Sequence, residues 1–249
     1  MIQLDRHGDL AVVTLVHGKA NALDIEICEA IAAHFEAIEK SSAHAVVLTG
    51  QGRIFSAGVD LLRLSEGGAD YVREFLPALH RLYQAVFFHS KPVVAAINGH
   101  AIAGGCVLAC CADRRIAARD GGRIGVTELL VGVPFPPLAF EVMRYATAPQ
   151  YFADGVLSGA TFVVEEALAR GLVDEVVEVA ALRDRAIAAA ERLATLSPAA
   201  FAMTKRQLRA AVAENVAKAG GDTGATDIWT APETLERIRD YVSRTLKKS

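Results

Sequence analysis

Val93-Val94-Ala95-Ala96-Ile97-Asn98-Gly99-His100-Ala101-Ile102-Ala103-Gly104-Gly105-Cys106 moves from one kind of backbone to another within fourteen residues. Its first five residues form a short apolar run with β-branched members, the pattern of a fully buried strand. Asn98-Gly99 reads as a turn. Paired glycines then open an apolar segment, Gly104–Ala112, that reads as a helix. The free N–H groups of such a helix start favour negative charge. Close packing of the helix on a sheet explains the same glycines equally well. Neither G-x-G-x-x-G nor G-K-[ST] is present, so no nucleotide-phosphate fingerprint is claimed.

Outward from this stretch the pattern repeats. Ala45–Thr49 and Arg114–Ala117 are two more short apolar runs. A helical pattern covers Tyr71 to Phe88 and breaks at Lys91-Pro92. Strands that alternate with helices predict an α/β domain with a parallel sheet and right-handed crossovers. Upstream, Ile2–Leu4 and Leu10–Leu15 flank His7-Gly8-Asp9 as a hairpin, and Asp24 caps a helix running to about Lys40. Downstream of Pro137 the chain is mostly helical: Tyr151–Leu157, Val164–Arg170, Leu182–Leu196, Pro198–Ala217 and Pro232–Lys247. Asp174–Val177 adds a strand. Gly220–Thr226 reads as a flexible break, and Trp229 as an anchor at a subunit contact.

The 249 residues are 52% hydrophobic but only 6% aromatic, enough for one large core with close-packed helices. A net charge of -3 and no long basic run argue against nucleic acid. No apolar run is long enough to span a bilayer. The first ten residues lack the features of a secretory signal. Cys28, Cys106, Cys110 and Cys111 have no zinc-ligand spacing and read as reduced, buried thiols, so no metal is expected. These features together predict a cytoplasmic protein without a membrane partner.

Two further stretches stand out. Ile54-Phe55-Ser56-Ala57-Gly58-Val59-Asp60-Leu61 is a small-residue loop whose backbone could approach a ligand, or an ordinary strand-to-helix connection with Asp60 as cap. Gly125-Val126-Thr127-Glu128-Leu129-Leu130-Val131-Gly132-Val133-Pro134 places one carboxylate in an apolar segment. Glu128 is either a solvent-facing residue at a helix start or a buried acid with a raised pKa.

In this order the three stretches resemble the motifs of the crotonase (enoyl-CoA hydratase/isomerase) superfamily: F-S-A-G-x-D-L, N-G-x-A-x-(A/G)-G-G-C and G-x-x-E-x-x-x-G-(I/V)-x-P. Lys19-Ala20-Asn21-Ala22-Leu23 is similar to the family's early CoA-contacting segment. Ser158-Gly159 and Glu165–Asp174 extend the likeness over nearly the whole chain. The resemblance implies an α/β, crotonase-like fold (the ClpP/crotonase ββα superhelix) over residues 1–195. It also implies a C-terminal helical trimerisation region over 196–249, and a homotrimer or dimer of trimers.

The resemblance further implies an oxyanion hole made by the backbone N–H groups of Val59 and Gly104, holding the carbonyl oxygen of an acyl-CoA thioester. Losing one such donor typically costs about 3–4 kcal/mol of transition-state stabilisation. It implies that the Ala57 carbonyl meets the CoA adenine. Lys19, Ala20, Ala22, Gly58, Asp60, Leu61, Gly105 and Phe135 are the accompanying substrate- and CoA-binding positions, with Tyr241 and Lys247 as further candidates on the last helix. No cofactor is expected beyond the coenzyme A of the substrate.

The same comparison of motifs speaks to the reaction. Hydratases of this superfamily carry two glutamates that hold a water between them. Here the first position is Val107 and the second Glu128. One carboxylate suits a 1,3-proton shift, so the resemblance is to Δ3,Δ2-enoyl-CoA isomerases. An enoyl-CoA hydratase, another lyase or hydrolase, and a non-catalytic CoA-thioester-binding subunit are the alternatives. Pro136 stands where dienoyl-CoA isomerases and 3-hydroxyisobutyryl-CoA hydrolases carry a further Asp. The Pro134-Phe135-Pro136-Pro137 run is expected to stiffen the acyl pocket wall. His100 reads as a packing or hydrogen-bonding residue, and Asp113-Arg114-Arg115 as surface or subunit-interface ion pairs.

Overall fold

The computed structural model describes residues 1–220 and 223–245. Strand β1 (Ile2–His7) pairs antiparallel with β2 (Leu10–Leu15). Helix α1 (Ile25–Glu39) follows, capped by Asp24, whose carboxylate accepts the Ile27 N–H at 2.9 Å. The chain then repeats one unit three times: a long strand, a three-residue strand and a helix. The first unit is β3 (Ala45–Gly50), β4 (Ile54–Ser56) and α2 (Leu61–Phe87). The second is β5 (Val93–Ile97), β6 (His100–Ile102) and α3 (Gly104–Cys110). The third is β7 (Arg114–Ala118), β8 (Arg123–Gly125) and α4 (Glu128–Val131). There follow α5 (Pro137–Ala146), α6 (Pro149–Ser158), β9 (Thr161–Val163), α7 (Val164–Ala169), β10 (Glu175–Val177), α8 (Leu182–Ala194), α9 (Pro198–Ala219), α10 (Thr223–Thr230) and α11 (Pro232–Thr245).

The long strands form one sheet in the order β1-β2-β3-β5-β7-β10, parallel from β2 onward. The short strands form a second sheet, β4-β6-β8-β9, in which β4, β6 and β8 run parallel. Period-2 alternation divides the large sheet into two apolar faces. Val13, Leu15, Val46, Leu48, Ala95 and Ile97 point into the main core with α1, α2 and α3. Val12, Val47, Val94 and Ile116 point the other way, onto Leu182, Ala186, Ile187 and Ala190 of α8.

Several sequence expectations need correction. Helix α2 begins at Leu61 rather than Tyr71, because Asp60 caps it by accepting the Arg63 N–H. The polar stretch around Gly68, where the helix kinks at φ +62°, hides that first part from a hydrophobic-period reading. Gly220–Thr226 is not wholly a break, since α10 starts at Thr223. Trp229 does not reach out to a subunit contact: it is 2% exposed and its Nε1–H donates to the Pro134 carbonyl at 2.9 Å. With Val212, Leu235, Ile238 and Val242 it joins the core of the β-sheets. The C-terminal helices and the strands therefore share one apolar interior. No helix of the described residues is long and apolar enough to cross a membrane.

Asp113, Arg114 and Arg115 all form ion pairs, as expected, but those of Asp113 and Arg115 lie inside the fold rather than on its surface. Arg115 is buried and grips Asp174 through Nη2–H at 2.7 Å and Nε–H at 3.0 Å. Asp113 accepts from Lys205 Nζ at 2.7 Å and Arg209 Nη2 at 2.8 Å, two cations that helix α9 turns inward. Burial pushes Lys205 down to about 8 in spite of Asp113. Removing a shared partner leaves buried charge uncompensated. Asp113→Ala is expected to cost about 3 kcal/mol in a urea-denaturation experiment at neutral pH; a loss under 1 kcal/mol would show the network to be energetically idle.

Candidate active site

The small sheet places the predicted residues together. Strands β4, β6 and β8 are adjacent and parallel, so their C-terminal ends lie side by side, each about 4.8 Å from the next. From these three ends emerge Ala57-Gly58-Val59, Ala103-Gly104 and Val126-Thr127-Glu128. A β-carbon placed on Gly58 would lie 3.1 Å from the Gly104 nitrogen, and one on Gly104 would lie 3.6 Å from Val59 Cγ2. The two loops thus touch.

The direction of the Val59 amide follows from its pairing. Leu23 forms an isolated parallel bridge with Val59: its N–H donates to the Gly58 carbonyl at 2.7 Å and its carbonyl accepts from Asp60 at 2.9 Å. Successive amides of an extended chain point to opposite sides. The Val59 N–H therefore faces away from Leu23 and donates to no group among the described residues. Gly104 is the first residue of α3, where an N–H has no intrahelical acceptor. Ala103 before it has φ +49° and ψ -125°, a sparsely populated conformation for a residue with a β-carbon. Its N–H donates to Gly125 of β8 at 2.8 Å, and its carbonyl accepts from Cys106 and Val107.

Glu128 is the first residue of α4 and is buried, at 8% exposure. Of the two readings of this residue, the solvent-facing one is set aside. Burial raises its pKa to about 7, against the opposing pull of its own main-chain N–H and that of Thr127. Its sequence neighbours Val126 and Val131 are buried as well, whereas Leu129 is exposed. Oε2 of Glu128 is buried and has no hydrogen-bond partner among the described residues. A buried carboxylate oxygen without a donor is an uncommon and costly arrangement in a folded chain, and such groups concentrate at sites of chemistry. Such a group can take and return a proton near neutral pH.

Comparison with known proteins gives the chain its place. Residues 5–226 match the family described as enoyl-CoA hydratase/isomerase. The chain belongs to that family. A putative enoyl-CoA hydratase of Thermus thermophilus is 34% identical over 84% of this chain and 84% of that protein. Mitochondrial enoyl-CoA delta isomerase 1 of Mus musculus is 30% identical over 88% of this chain and 76% of that one. The crystal structure of human mitochondrial Δ3-Δ2-enoyl-CoA isomerase superposes with a TM-score of 0.94, covering 100% of this chain and 99% of that chain at 23% identity, which fixes the crotonase fold.

Other positions of this hydratase/isomerase-family chain fall as follows. Lys19-Ala20-Asn21-Ala22 is strapped to the β4 loop: Ala57 N–H donates to the Ala20 carbonyl at 3.0 Å, and the Asn21 side chain donates to Ile54 and Phe55. Lys19 and Ala57 are exposed, Ala20 and Ala22 half-buried. Asp60 is engaged as the α2 cap, and Leu61 packs on the core. Gly105 is a packing glycine, since a β-carbon there would stand 2.3 Å from the Ser56 carbonyl oxygen. Val107 is fully buried. His100 accepts the Arg123 N–H through Nδ1 at 3.1 Å, a hydrogen-bonding role.

Phe135 is half-buried and meets Phe140 edge-on, with ring centroids 6.2 Å apart. Pro136 and Pro137 line a cleft of about 320 Å³ with Leu76, Pro77, Val216 and Ala225. Glu128, Val59 and Gly104 are not among the residues that line this cleft. Tyr241 is half-buried against the core, and Lys247 lies outside the described residues. No cluster of metal-ligating side chains occurs among the described residues. Sequence reading passed over Tyr83, whose hydroxyl donates to the Gly104 carbonyl at 3.0 Å. As one apolar-face residue within a helical pattern it carries no local signal.

Proposed function

We propose that this chain moves a double bond from the 3- to the 2-position of an enoyl-CoA by a 1,3-proton transfer. The observation that supports this reading is a buried carboxylate, Glu128, with an unpaired oxygen, and a buried valine, Val107, at the position where a second acid would serve water addition. Glu128 removes a proton from C2 of the 3-enoyl thioester. The N–H groups of Val59 and Gly104 hold the dienolate oxygen. Protonated Glu128 then returns the proton to C4. A pKa near 7 favours both halves of this cycle, because the group is neither too weak a base nor too weak an acid at neutral pH. No cofactor takes part in such a shift. Residues 196–249 serve trimerisation in this proposal, with Met203 and Leu208 on the outer side of α9 as exposed apolar contacts.

Hydration is the second reading, favoured by the 34% identity to a putative enoyl-CoA hydratase. Offering a 3-enoyl-CoA and a 2-enoyl-CoA to the same preparation separates the two. The expected result is conjugation of the first, seen as a rise in enoyl-thioester absorbance, with slower water addition to the second. Water addition as fast as or faster than conjugation overturns the isomerase reading. Binding of both thioesters without turnover would instead indicate a non-catalytic CoA-thioester-binding subunit.

A further inference from the structure

We propose that Tyr83 is a positioning residue for the oxyanion donor: its hydroxyl clamps Gly104 so that the Gly104 N–H stays aimed at the thioester oxygen. This inference rests on the oxyanion-hole reading given above. Tyr83 lies on α2 and is 1% exposed, with its ring in the main core. Its hydroxyl donates to the Gly104 carbonyl at 3.0 Å. A β-carbon on Gly104 would stand 2.8 Å from that same oxygen, so the hydroxyl rests directly against the glycine. Among the described residues no other side chain hydrogen-bonds to Ala103, Gly104 or Gly105.

A clamp is needed here for a physical reason. Glycine is the most permissive residue, and Gly104 begins a helix of seven residues. The preceding Ala103, at φ +49° and ψ -125°, sits in a conformation that rotation of the 103–104 peptide would relieve. That rotation carries the Gly104 N–H away from the site. On one side of this peptide the Ala103 N–H is held by Gly125, and the peptide's own carbonyl, that of Ala103, accepts from Cys106 and Val107. On the other side, the tie from a side chain is Tyr83. The hydroxyl stays a donor at any working pH, because burial lifts its pKa well above the usual tyrosine value. Substrate does not touch Tyr83 in this scheme; the residue acts through Gly104.

The test is Tyr83→Phe, which keeps the ring and removes the hydroxyl. Two readouts separate positioning from packing. One is the split between kcat and KM for a 3-enoyl-CoA. The other is the absorbance maximum of a bound 2,4-dienoyl-CoA, which moves to longer wavelength as its carbonyl is polarised. The expected outcome is a fall in kcat of about tenfold with KM nearly unchanged, since one of two preorganised donors is loosened rather than deleted. The red shift shrinks in parallel. Incorporating 3,5-difluorotyrosine at position 83, which keeps the shape and strengthens the donor, enlarges the shift beyond that of the unmodified protein. A Tyr83→Phe protein that melts lower yet keeps the full red shift and kcat shows Tyr83 to be packing only, and overturns the proposal while leaving the oxyanion reading intact. If the unmodified protein binds the dienoyl-CoA without any red shift, the oxyanion reading itself fails and Tyr83 falls with it. Should Tyr83→Phe not fold, an unchanged shift in the difluorotyrosine protein, together with an unaltered kcat, overturns the proposal.

Discussion

Glu128→Gln is expected to reduce turnover of 3-enoyl-CoA by about a thousandfold while thioester binding stays within a fewfold of the unmodified protein. General-base catalysis contributes roughly a factor of 10²–10⁴, and in the proposed scheme one carboxyl performs both proton transfers. Glutamine keeps the volume and loses the base. Steady-state kinetics on a 3-enoyl-CoA, with isothermal titration of a saturated acyl-CoA, provide the check. Retention of more than a tenth of the activity would require another base. In the unmodified protein the same carboxyl must be ionised to begin the cycle. The pH profile of kcat/KM is therefore expected to rise with a midpoint near 7, the value to which burial lifts Glu128.

This substitution also carries a stability signature of opposite sign. The pKa of Glu128 is about 7 in the fold against 4.5 in the unfolded chain. Between those values the folded state holds a proton that the unfolded state does not, so stability falls as pH rises through the window. The loss is complete above about pH 8 and amounts to about 3 kcal/mol. Below pH 4.5 it vanishes. Glu128→Gln removes the titration, so the variant is expected to outlast the unmodified protein in urea at pH 8 and to match it at pH 4.5. A difference that does not depend on pH would refute the linkage to this carboxyl.

Gly58→Ala is expected to destabilise the fold by about 4 kcal/mol, and what remains folded is expected to be almost inactive. Two costs combine. Gly58 has φ +85°, where a β-carbon is strained by about 1–3 kcal/mol. The added carbon would also stand 2.6 Å from the Ile102 carbonyl oxygen and 3.0 Å from the Ala103 β-carbon, so backbone has to move, at a further 1–3 kcal/mol or so. The movement separates the very loops that present Val59 and Gly104. Thermal unfolding followed by circular dichroism reads the first effect, and kcat at a temperature where the variant is folded reads the second. Gly8→Ala serves as a control, because φ there is also positive, +56°, but nothing lies within 4 Å of the added carbon. If both variants lose equal stability, conformational strain alone is responsible and the contact with β6 is immaterial.

The long strands and helices were legible because they bury enough apolar surface to leave a period. Val93–Ile97 and Ala45–Gly50 are continuous apolar runs, and Asp24 announces its helix as a cap. The second sheet left no such trace. Each of its strands is three residues long, too short for alternation to register, and one pairs with a register shift between Ile54 and Ser56. Its importance is nonetheless large, since it is what brings the three loops together. The inward-facing Lys205 and Arg209 carried no sequence signal for a different reason: a charged side chain is expected outside unless a buried partner such as Asp113 is known. Glu128 was identified through the motif around it, while its burial became evident only once α4 was seen to pack against α11.

The three-unit repeat also has a bearing on how such an enzyme can diversify. Each chemical group in the proposed site hangs from a different unit, at the joint where a short strand hands over to its helix. The sheet fixes the spacing of those joints through main-chain hydrogen bonds, which are indifferent to side-chain identity. A side chain on the helix or loop that follows a joint can therefore be exchanged, acid for valine or aspartate for proline, while the joints keep their positions. One scaffold can in this way accommodate several thioester reactions through single-residue changes, and the residues found at 107, 128 and 136 read as one setting of that combination.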